Sequence, residues 1–250
     1  MQKAVPAIPA ILKPPTRVVN RNRAVIWLAG FTILLVLFLL VLPPHIRTIF
    51  WYSLQSQAIL VSMLLIFSLV AISLIWSTGQ TLDAWVFMSF NVRGTRPKWL
   101  DWIMLGFTQL GSAFASLGIA LILIFTGNRL LSYELILGTL SLWLVVELIK
   151  LLVHRARPFI RLVQVRIVGY RPRGRSFPSG HTSQVFFMAT LIAQHFHLNG
   201  WVWILLYAVA FLVGITRMYV GAHYPRDVIA GAILGSAWGL LGVIVDGIVT

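Results

Sequence analysis

Long apolar blocks alternate with short polar segments along the whole chain. A helix that crosses the hydrocarbon core of a bilayer needs about 20 predominantly apolar residues. Seven blocks approach or reach that length, the fifth and sixth being short: Val25–Leu42, Gln57–Trp76, Ile103–Phe125, Leu131–Val153, Thr182–Leu198, Trp201–Val220 and Val228–Val249. The pattern therefore predicts an all-α integral membrane protein.

The first block differs from the others in its flanking residues. Residues 1–24 are basic and rich in proline, which predicts a disordered tail. Pro43-Pro44-His45 follows the block where a signal peptide would have a small-residue cleavage site, so we interpret Val25–Leu42 as a signal anchor. Residues 25–56 are thus predicted to form an additional N-terminal transmembrane helix and loop, and residues 57–250 the membrane core domain.

Two further patterns concern the position and packing of helices. Between the second and third blocks, Thr78–Leu100 mixes aromatic and charged residues, which predicts an amphipathic stretch in the membrane interface. The last block contains Gly231, Gly235 and Gly239 at a spacing of four, which places three small residues on one helix face. That face is predicted to pack closely against another helix.

Composition supports the membrane assignment and removes several classes of function. The chain is 59% hydrophobic and 10% charged, whereas soluble proteins average about 45–50% and about 25%. In a membrane protein the net charge of +14 favours contact with anionic lipid headgroups over contact with nucleic acid. The chain has no cysteine, so disulfides, thiolate metal sites and cysteine nucleophiles are excluded.

Three clusters of cations and histidines lie at the ends of apolar blocks in the second half of the chain. The first contains Lys150, Arg157 and Pro158. On a continuing helix Lys150 and Arg157 share a face two turns apart, and Pro158 then ends the helix. Taken alone, this cluster is better explained by basic side chains that reach the interface and by an ion pair between Glu147 and Lys150.

The second cluster, Pro178-Ser179-Gly180-His181, directly precedes the fifth block. Ser179 is placed to cap the helix, and Gly180 allows the backbone to approach a ligand closely. Free N–H groups at a helix start bind anions, so a phosphate could lie within reach of His181. Ordinary capping beside an interfacial histidine is the alternative explanation.

The third cluster contains Arg217, His223 and Asp227. On one helix turn Asp227 can accept a hydrogen bond from the His223 ring, which fixes the tautomer and leaves the other nitrogen free to attack. Arg217 is an ionisable group near membrane depth and therefore a functional candidate. The alternative, an arginine–aspartate pair that ties two helices together, leaves His223 without a role.

The remaining histidines are predicted to have interface or packing roles. They are His45 and His154 in loops, and His195 and His197 near the end of the fifth block. No set of His, Asp and Glu shows the spacing of metal ligands beyond the His223–Asp227 pair, so no metal site is predicted.

In order and spacing the three clusters resemble the signature of the type 2 phosphatidic acid phosphatase family, whose motifs also occur in vanadium-dependent haloperoxidases. The family pattern is Lys-x6-Arg-Pro, then Pro-Ser-Gly-His, then Ser-Arg-x5-His-x3-Asp. Thr216 stands where the family usually has serine, and it keeps the hydroxyl. The resemblance covers Gln57 to the C-terminus and implies a six-helix transmembrane core.

The resemblance also implies an activity and a role for each residue. It implies a phosphatase that needs no metal and no other cofactor, with a lipid phosphomonoester or diphosphate as substrate, such as phosphatidic acid, phosphatidylglycerophosphate or a polyprenyl diphosphate. His223 would be the nucleophile oriented by Asp227, and His181 the general acid. The implied phosphate-binding residues are Lys150, Arg157, Arg217, Ser179 and Gly180.

Two other functions remain open from the sequence. A haloperoxidase would hold vanadate at the same residues and would show halide-dependent oxidation. A lipid-headgroup binding or transport protein would release no phosphate from any lipid.

The charge of the loops leaves two orientations in the membrane. With seven spans the N-terminus lies on the same side as the site, and the positive-inside rule then places the site in the cytoplasm. Loop arginines recruited to bind phosphate are not topology signals, and family members usually expose the site on the far side. We therefore predict a multi-pass protein of the cell membrane with an extracytoplasmic site, and a cytoplasmic site is the alternative.

Overall fold

The computed structural model describes residues 55–91 and 96–249, with side chains to residue 243, and a few isolated positions before residue 55. The predicted tail, His45 and, apart from isolated positions, the predicted span Val25–Leu42 lie outside the described residues. The described helices are α1 Ala58–Ser73, α2 Ser77–Asn91, α3 Lys98–Gln109, α4 Ala113–Phe125, α5 Arg129–Val153, α6 Pro158–Arg161, α7 Gly180–His195, α8 Gly200–Tyr219 and α9 Pro225–Val249.

The prediction of an all-α membrane fold is confirmed, although the spans are less regular than predicted. Within the described residues, three stretches are long and apolar enough to cross a membrane as single helices: Arg129–Arg161, Gly200–Tyr219 and Pro225–Val243. Two bent pairs could each form one further span, α1 with α2 at 97° and α3 with α4 at 56°. The predicted straight span Ile103–Phe125 is therefore broken, and the break lies where Ser112 caps α4 by accepting a hydrogen bond from the Ala115 amide at 3.1 Å.

The fifth predicted block forms the centre of the bundle. α7 has 16 residues, about 24 Å of helix, which is shorter than a hydrocarbon core of about 30 Å. Eleven of its residues are buried, and it packs against α9, α8 and α5. A short helix is acceptable here because neighbouring helices, and not lipid, surround it.

The outer helices place their apolar side chains on the outside of the bundle, where lipid would contact them. Leu137, Trp143 and Leu152 on α5 and Phe211 on α8 are more than half exposed. Polar side chains lie inside and bond to each other, as Ser116 and Thr139 do at 2.7 Å between α4 and α5. This distribution is the one expected of a protein solvated by a bilayer.

The glycine face predicted on the last helix packs against α7. A Cβ on Gly231 would lie 2.7 Å from the Ser179 carbonyl oxygen, and one on Gly239 would lie 2.6 Å from Thr190 Cβ. At Gly235 the nearest atoms all belong to the Ser183 backbone. The prediction of a close-packing surface is therefore confirmed, and these glycines set the separation of α7 and α9.

The first motif departs from its predicted geometry. α5 ends at Val153, where His154 takes the left-handed conformation with φ of 55°. Arg157 is extended, and Pro158 is the first residue of the short helix α6. The prediction that Pro158 ends the helix containing Lys150 is wrong, because proline fits the first position of a helix and begins α6 here. Lys150 and Arg157 therefore reach the site from a helix end and from a loop.

Candidate active site

The three motifs meet at one end of the bundle because their helices run in alternating directions. The last turn of α5, the first turn of α7, the end of α8 and the start of α9 all lie there. Backbone hydrogen bonds join the motifs directly: the Ser179 amide donates to the Asp227 carbonyl oxygen at 2.9 Å, and the Ser176 amide donates to the Arg155 carbonyl oxygen at 2.9 Å. The residues predicted to share a site are thus held together by main chain.

His223 lies in the turn between α8 and α9 and is buried. Its Nδ1 is 2.7 Å from the Ser176 carbonyl oxygen, and its Nε2 is 3.2 Å from Arg157 Nη1. A carbonyl oxygen can only accept and a guanidinium can only donate, so Nδ1 carries the proton and Nε2 presents its lone pair. The ring is therefore held as the neutral tautomer with Nε2 directed at a cation.

Asp227 has a different role in the structure from the hydrogen-bond acceptor predicted for it. Its Oδ2 is 3.6 Å from His223 Nδ1, so the Ser176 carbonyl is the closer acceptor. Oδ2 accepts from the Tyr224 amide at 2.9 Å, which closes the first turn of α9, and Oδ1 accepts from Arg155 Nη1 at 2.6 Å. Asp227 is therefore close enough to interact with a charge on the ring, and the Ser176 carbonyl fixes the ring's tautomer.

Arg157 and Arg217 are buried and form no ion pair with a carboxylate of the described residues. Arg157 donates to the carbonyl oxygens of Ala222 and Gly174 at 3.0 and 3.2 Å. Arg217 Nη1 donates to Thr108 Oγ1 at 2.6 Å. Neutral acceptors orient both guanidinium groups without cancelling their charge, so both remain available to an anion.

The start of α7 supplies uncharged donors beside these cations. The amides of Gly180, His181 and Thr182 have no acceptor within the described residues. Ser179 was predicted to cap the helix, but its hydroxyl lies 2.8 Å from Thr182 Oγ1 and makes no capping bond to the backbone. The free first-turn amides form the kind of anion site that helix starts provide.

Lys150 reaches the same point from α5. A Cβ on Gly180 would lie 3.9 Å from Lys150 Nζ. The predicted ion pair between Glu147 and Lys150 is present at 2.7 Å, and the Glu147 side chain is 43% exposed. Water therefore screens this carboxylate, whereas the ammonium faces the first turn of α7.

Burial and the surrounding cations lower the pKa of both site histidines. The pKa of His181 falls to about 2 through burial, Arg217, His223, Lys150 and Arg157. The pKa of His223 falls to about 3, chiefly through burial. Both rings are consequently neutral at neutral pH, and an anion bound beside them would favour their protonated forms.

Sequence reasoning missed several residues that shape the site. Asp83 and Arg155 are buried in a charged cluster behind Asp227, Thr108 holds Arg217, and Ser176 orients His223. Asp83 gave a signal, since it is one of only 6 Asp and Glu residues in the chain and lies among aromatic residues. The Ser176 carbonyl gave no such signal, because every residue has a backbone carbonyl whatever its side chain.

The side chains of the other histidines among the described residues make no hydrogen bond to the proposed site residues. His195 contacts Asn128 at 3.2 Å at the opposite end of α7, and His154 is an exposed helix end. No group of three or more His, Asp or Glu side chains within the described residues is placed to bind a metal ion.

Known proteins provide an independent comparison. The sequence pattern of the PAP2 superfamily matches residues 130–247. An undecaprenyl-diphosphatase of Sulfolobus acidocaldarius is 30% identical over 67% of this chain and 79% of its own length. The bacitracin transport permease protein BcrC of Bacillus licheniformis is 36% identical over 44% of this chain, which spans 53% of that protein.

A solved structure shares the fold. The crystal structure of a transmembrane PAP2-type phosphatidylglycerolphosphate phosphatase from Bacillus subtilis superposes with a TM-score of 0.65 at 24% identity, covering 76% of this chain and 97% of that one. The predicted resemblance to the family is confirmed by these matches. The chain therefore belongs to the PAP2 superfamily.

Proposed function

We propose that this chain is a membrane phosphatase that hydrolyses a lipid phosphomonoester or diphosphate through a phosphohistidine on His223, without a metal ion. The observation that carries the proposal is the ring of His223, whose Nε2 lone pair faces Arg157 in a site rich in cations. The related undecaprenyl-diphosphatase and phosphatidylglycerolphosphate phosphatase both act on lipid phosphates, which supports a lipid phosphate as substrate.

The first chemical step transfers the phosphoryl group to the enzyme. The Nε2 lone pair of His223 attacks phosphorus, and the bond from phosphorus to the lipid oxygen breaks. That oxygen receives the electron pair together with a proton that His181 has taken from the singly protonated substrate. Arg157, Arg217 and Lys150 balance the charge on the phosphoryl oxygens, which divalent cations balance in kinases. Asp227 stabilises the positive charge that the His223 ring acquires.

The second step restores the enzyme. Neutral His181 accepts a proton from a water molecule, whose oxygen attacks phosphorus while the bond from phosphorus to Nε2 breaks. The electron pair returns to Nε2, and inorganic phosphate leaves together with the proton that His181 took from water, so that both histidines are neutral again. His181 is thus acid in the first step and base in the second, as microscopic reversibility requires.

The test of this function is phosphate release by the purified protein in EDTA from phosphatidic acid, phosphatidylglycerophosphate and a polyprenyl diphosphate. We expect release from at least one lipid in EDTA, because three cations and the α7 amides do the work of a metal. Full loss of activity in EDTA that added Mg²⁺ restores would contradict the metal-free mechanism, and no release from any lipid would favour headgroup binding or transport.

The same assay has an expected pH dependence. Because the pKa of His181 is lowered to about 2, the proton for the leaving oxygen must arrive with the singly protonated substrate, whose second pKa is about 6. The value of kcat/KM should rise as pH falls from 8 to 6 and then level. It should not fall near pH 6.5, because His223, with a pKa of about 3, stays unprotonated. A fall below pH 6.5 would contradict this assignment.

We also propose that the site faces the extracytoplasmic side. Because the chain has no cysteine, single cysteines report sidedness directly. Arg173 is exposed near the site, and Arg129 is exposed at the opposite end of α5. A membrane-impermeant thiol reagent added outside cells should label Arg173→Cys and not Arg129→Cys. The reverse pattern would place the site in the cytoplasm.

A further inference from the structure

A cluster of four charged side chains lies behind the proposed nucleophile; Asp83, Arg155 and Asp227 are buried, and the Arg226 side chain is 14% exposed. Arg155 donates to Asp227 Oδ1 at 2.6 Å, to Gln80 Oε1 at 3.1 Å and to Asp83 Oδ2. Asp83 also accepts from the Arg226 side chain at 2.8 Å and from its amide at 3.2 Å. Asp83 on α2 therefore joins an arginine of the first motif segment to an arginine of the third.

The partners of the buried arginines divide them into two classes. Arg155 and Arg226 are paired with carboxylates, and with Asp83 and Asp227 they form a set with no net charge. Arg157, by contrast, has only neutral hydrogen-bond partners among the residues that the structure describes. Arg155 lies two residues from Arg157 but is consequently unsuited to bind phosphate, and its contacts instead fix the position of Asp227.

The geometry around Arg155 leaves its guanidinium little freedom. It lies 4.3 Å above the ring of Tyr224 and is 7% exposed. Nη2 is occupied by Asp83 and Gln80, so only Nη1 reaches Asp227. As a result Asp227 Oδ1 is the oxygen bound to Arg155, and Oδ2 faces His223 at 3.6 Å.

We propose that Asp83 is a positioning residue for catalysis, acting through Arg155 on Asp227. This inference rests on the proposed function, in which Asp227 stabilises the positive charge that the His223 ring acquires during attack. The negative charge of Asp83 holds Nη2 and prevents the guanidinium from binding both oxygens of Asp227. Without it, a two-bond arginine–aspartate pair draws Oδ2 away from the ring, and the cationic ring of the transition state loses its counter-charge.

The first test is Asp83→Asn, which removes the charge and keeps the size. We expect kcat to fall about 10- to 100-fold, the usual range for residues that orient a reacting group, and KM to change less than about threefold, because ground-state binding is untouched. The matched control is Asp101→Asn, which removes another aspartate–arginine pair, with Arg166 at 2.8 Å. The other hydrogen-bond partner that the structure describes for the Asp101 side chain is the Tyr219 hydroxyl, which is not one of the proposed site residues. Equal kcat values for the two variants would overturn the proposal.

A double-mutant cycle tests the route of the effect. If Asp83 acts through Arg155, Asp83→Asn should add little to the loss of kcat in Arg155→Gln, so the two effects are non-additive. Fully additive effects would overturn the proposal. Should either variant not fold, Gln80→Leu removes the neutral acceptor of Arg155, together with the hydrogen bond from Gln80 Nε2 to the Leu74 carbonyl oxygen at 2.7 Å. It should lower kcat about threefold at unchanged KM, and an unchanged kcat would also overturn the proposal.

These outcomes are distinguishable from failure of the proposed function. If His223→Ala keeps phosphate release, the phosphohistidine mechanism is wrong whatever the Asp83 variants do. If His223→Ala is inactive and Asp83→Asn matches Asp101→Asn, only the positioning role of Asp83 fails.

Discussion

Replacing His223 by alanine is expected to lower phosphate release by about 10⁴-fold or more, the size of loss found when a nucleophile or its partner is removed from a covalent catalytic group. Nε2 of His223 is the unprotonated nitrogen that faces the cations of the site. Alanine has no atom that can form the bond to phosphorus. The assay is phosphate release under single-turnover conditions with the preferred lipid.

The substitution should separate chemistry from binding. Arg157, Arg217 and Lys150 remain in the variant, so its affinity for the lipid phosphate should stay within about tenfold of the wild type. Phosphate release that survives in His223→Ala would exclude the phosphohistidine. Loss of lipid binding together with turnover would show that His223 holds the substrate and would contradict its role as nucleophile.

His154→Asn is the matched control for this experiment. It also removes one imidazole, from an exposed helix end where φ is 55°, and asparagine tolerates that left-handed conformation better than most residues do. We expect its activity to match the wild type.

The sequence predicted the membrane fold and the meeting of three motifs because both depend on local patterns. Apolar blocks of spanning length indicate helices without knowledge of their partners. The spacing of Gly231, Gly235 and Gly239 predicted a packing face, and the structure confirms it on α7. The partner helix could not be predicted, because a small-residue face fits any helix that approaches closely.

The break between α3 and α4 was not predicted, because the residues on both sides of it are apolar. A Cβ on Gly111 would lie 2.9 Å from Val213 and within contact of the His181 carbonyl oxygen, so the break lets the chain pass close to α7. Ser112 before an apolar run was a capping signal in the sequence. That signal indicated where a helix begins, but the break in the span depends on the contact with α7, which the sequence does not show.

The charged contacts behind the site were also beyond sequence reasoning. Arg155 and Arg157 are two residues apart in one basic segment, yet one is neutralised by buried carboxylates and the other is left free. The difference arises from Asp83, which is 72 positions from Arg155. Only the tertiary packing of α2 against the motifs distinguishes the arginine that is paired with carboxylates from the one that has neutral partners.

Replacing Gly235 by alanine is expected to destabilise the protein by about 3 kcal/mol or more, at or above the upper range for overpacking. The atoms nearest to a Cβ there are the Ser183 carbonyl oxygen, C at 2.8 Å and Cα at 2.9 Å. All three are backbone atoms inside α7, so no side-chain rotation can relieve the contact. The measurement is thermal or denaturant unfolding in detergent, and it is compared with Gly118→Ala on α4, which has no atom within 4 Å of the new Cβ.

Gly118→Ala should be neutral or slightly stabilising, because alanine favours helix over glycine by about 1 kcal/mol. Equal stability of the two variants would show that α7 and α9 do not pack through Gly235.

The activity of the folded fraction of Gly235→Ala should fall as well, because α7 begins beside His181 and α9 begins beside His223. A shift of about 1 Å between reacting groups can cost about 100-fold in rate. Gly231→Ala, against the Ser179 carbonyl oxygen at 2.7 Å, should therefore lose more activity for each unit of lost stability than Gly239→Ala, which lies two turns farther from the site.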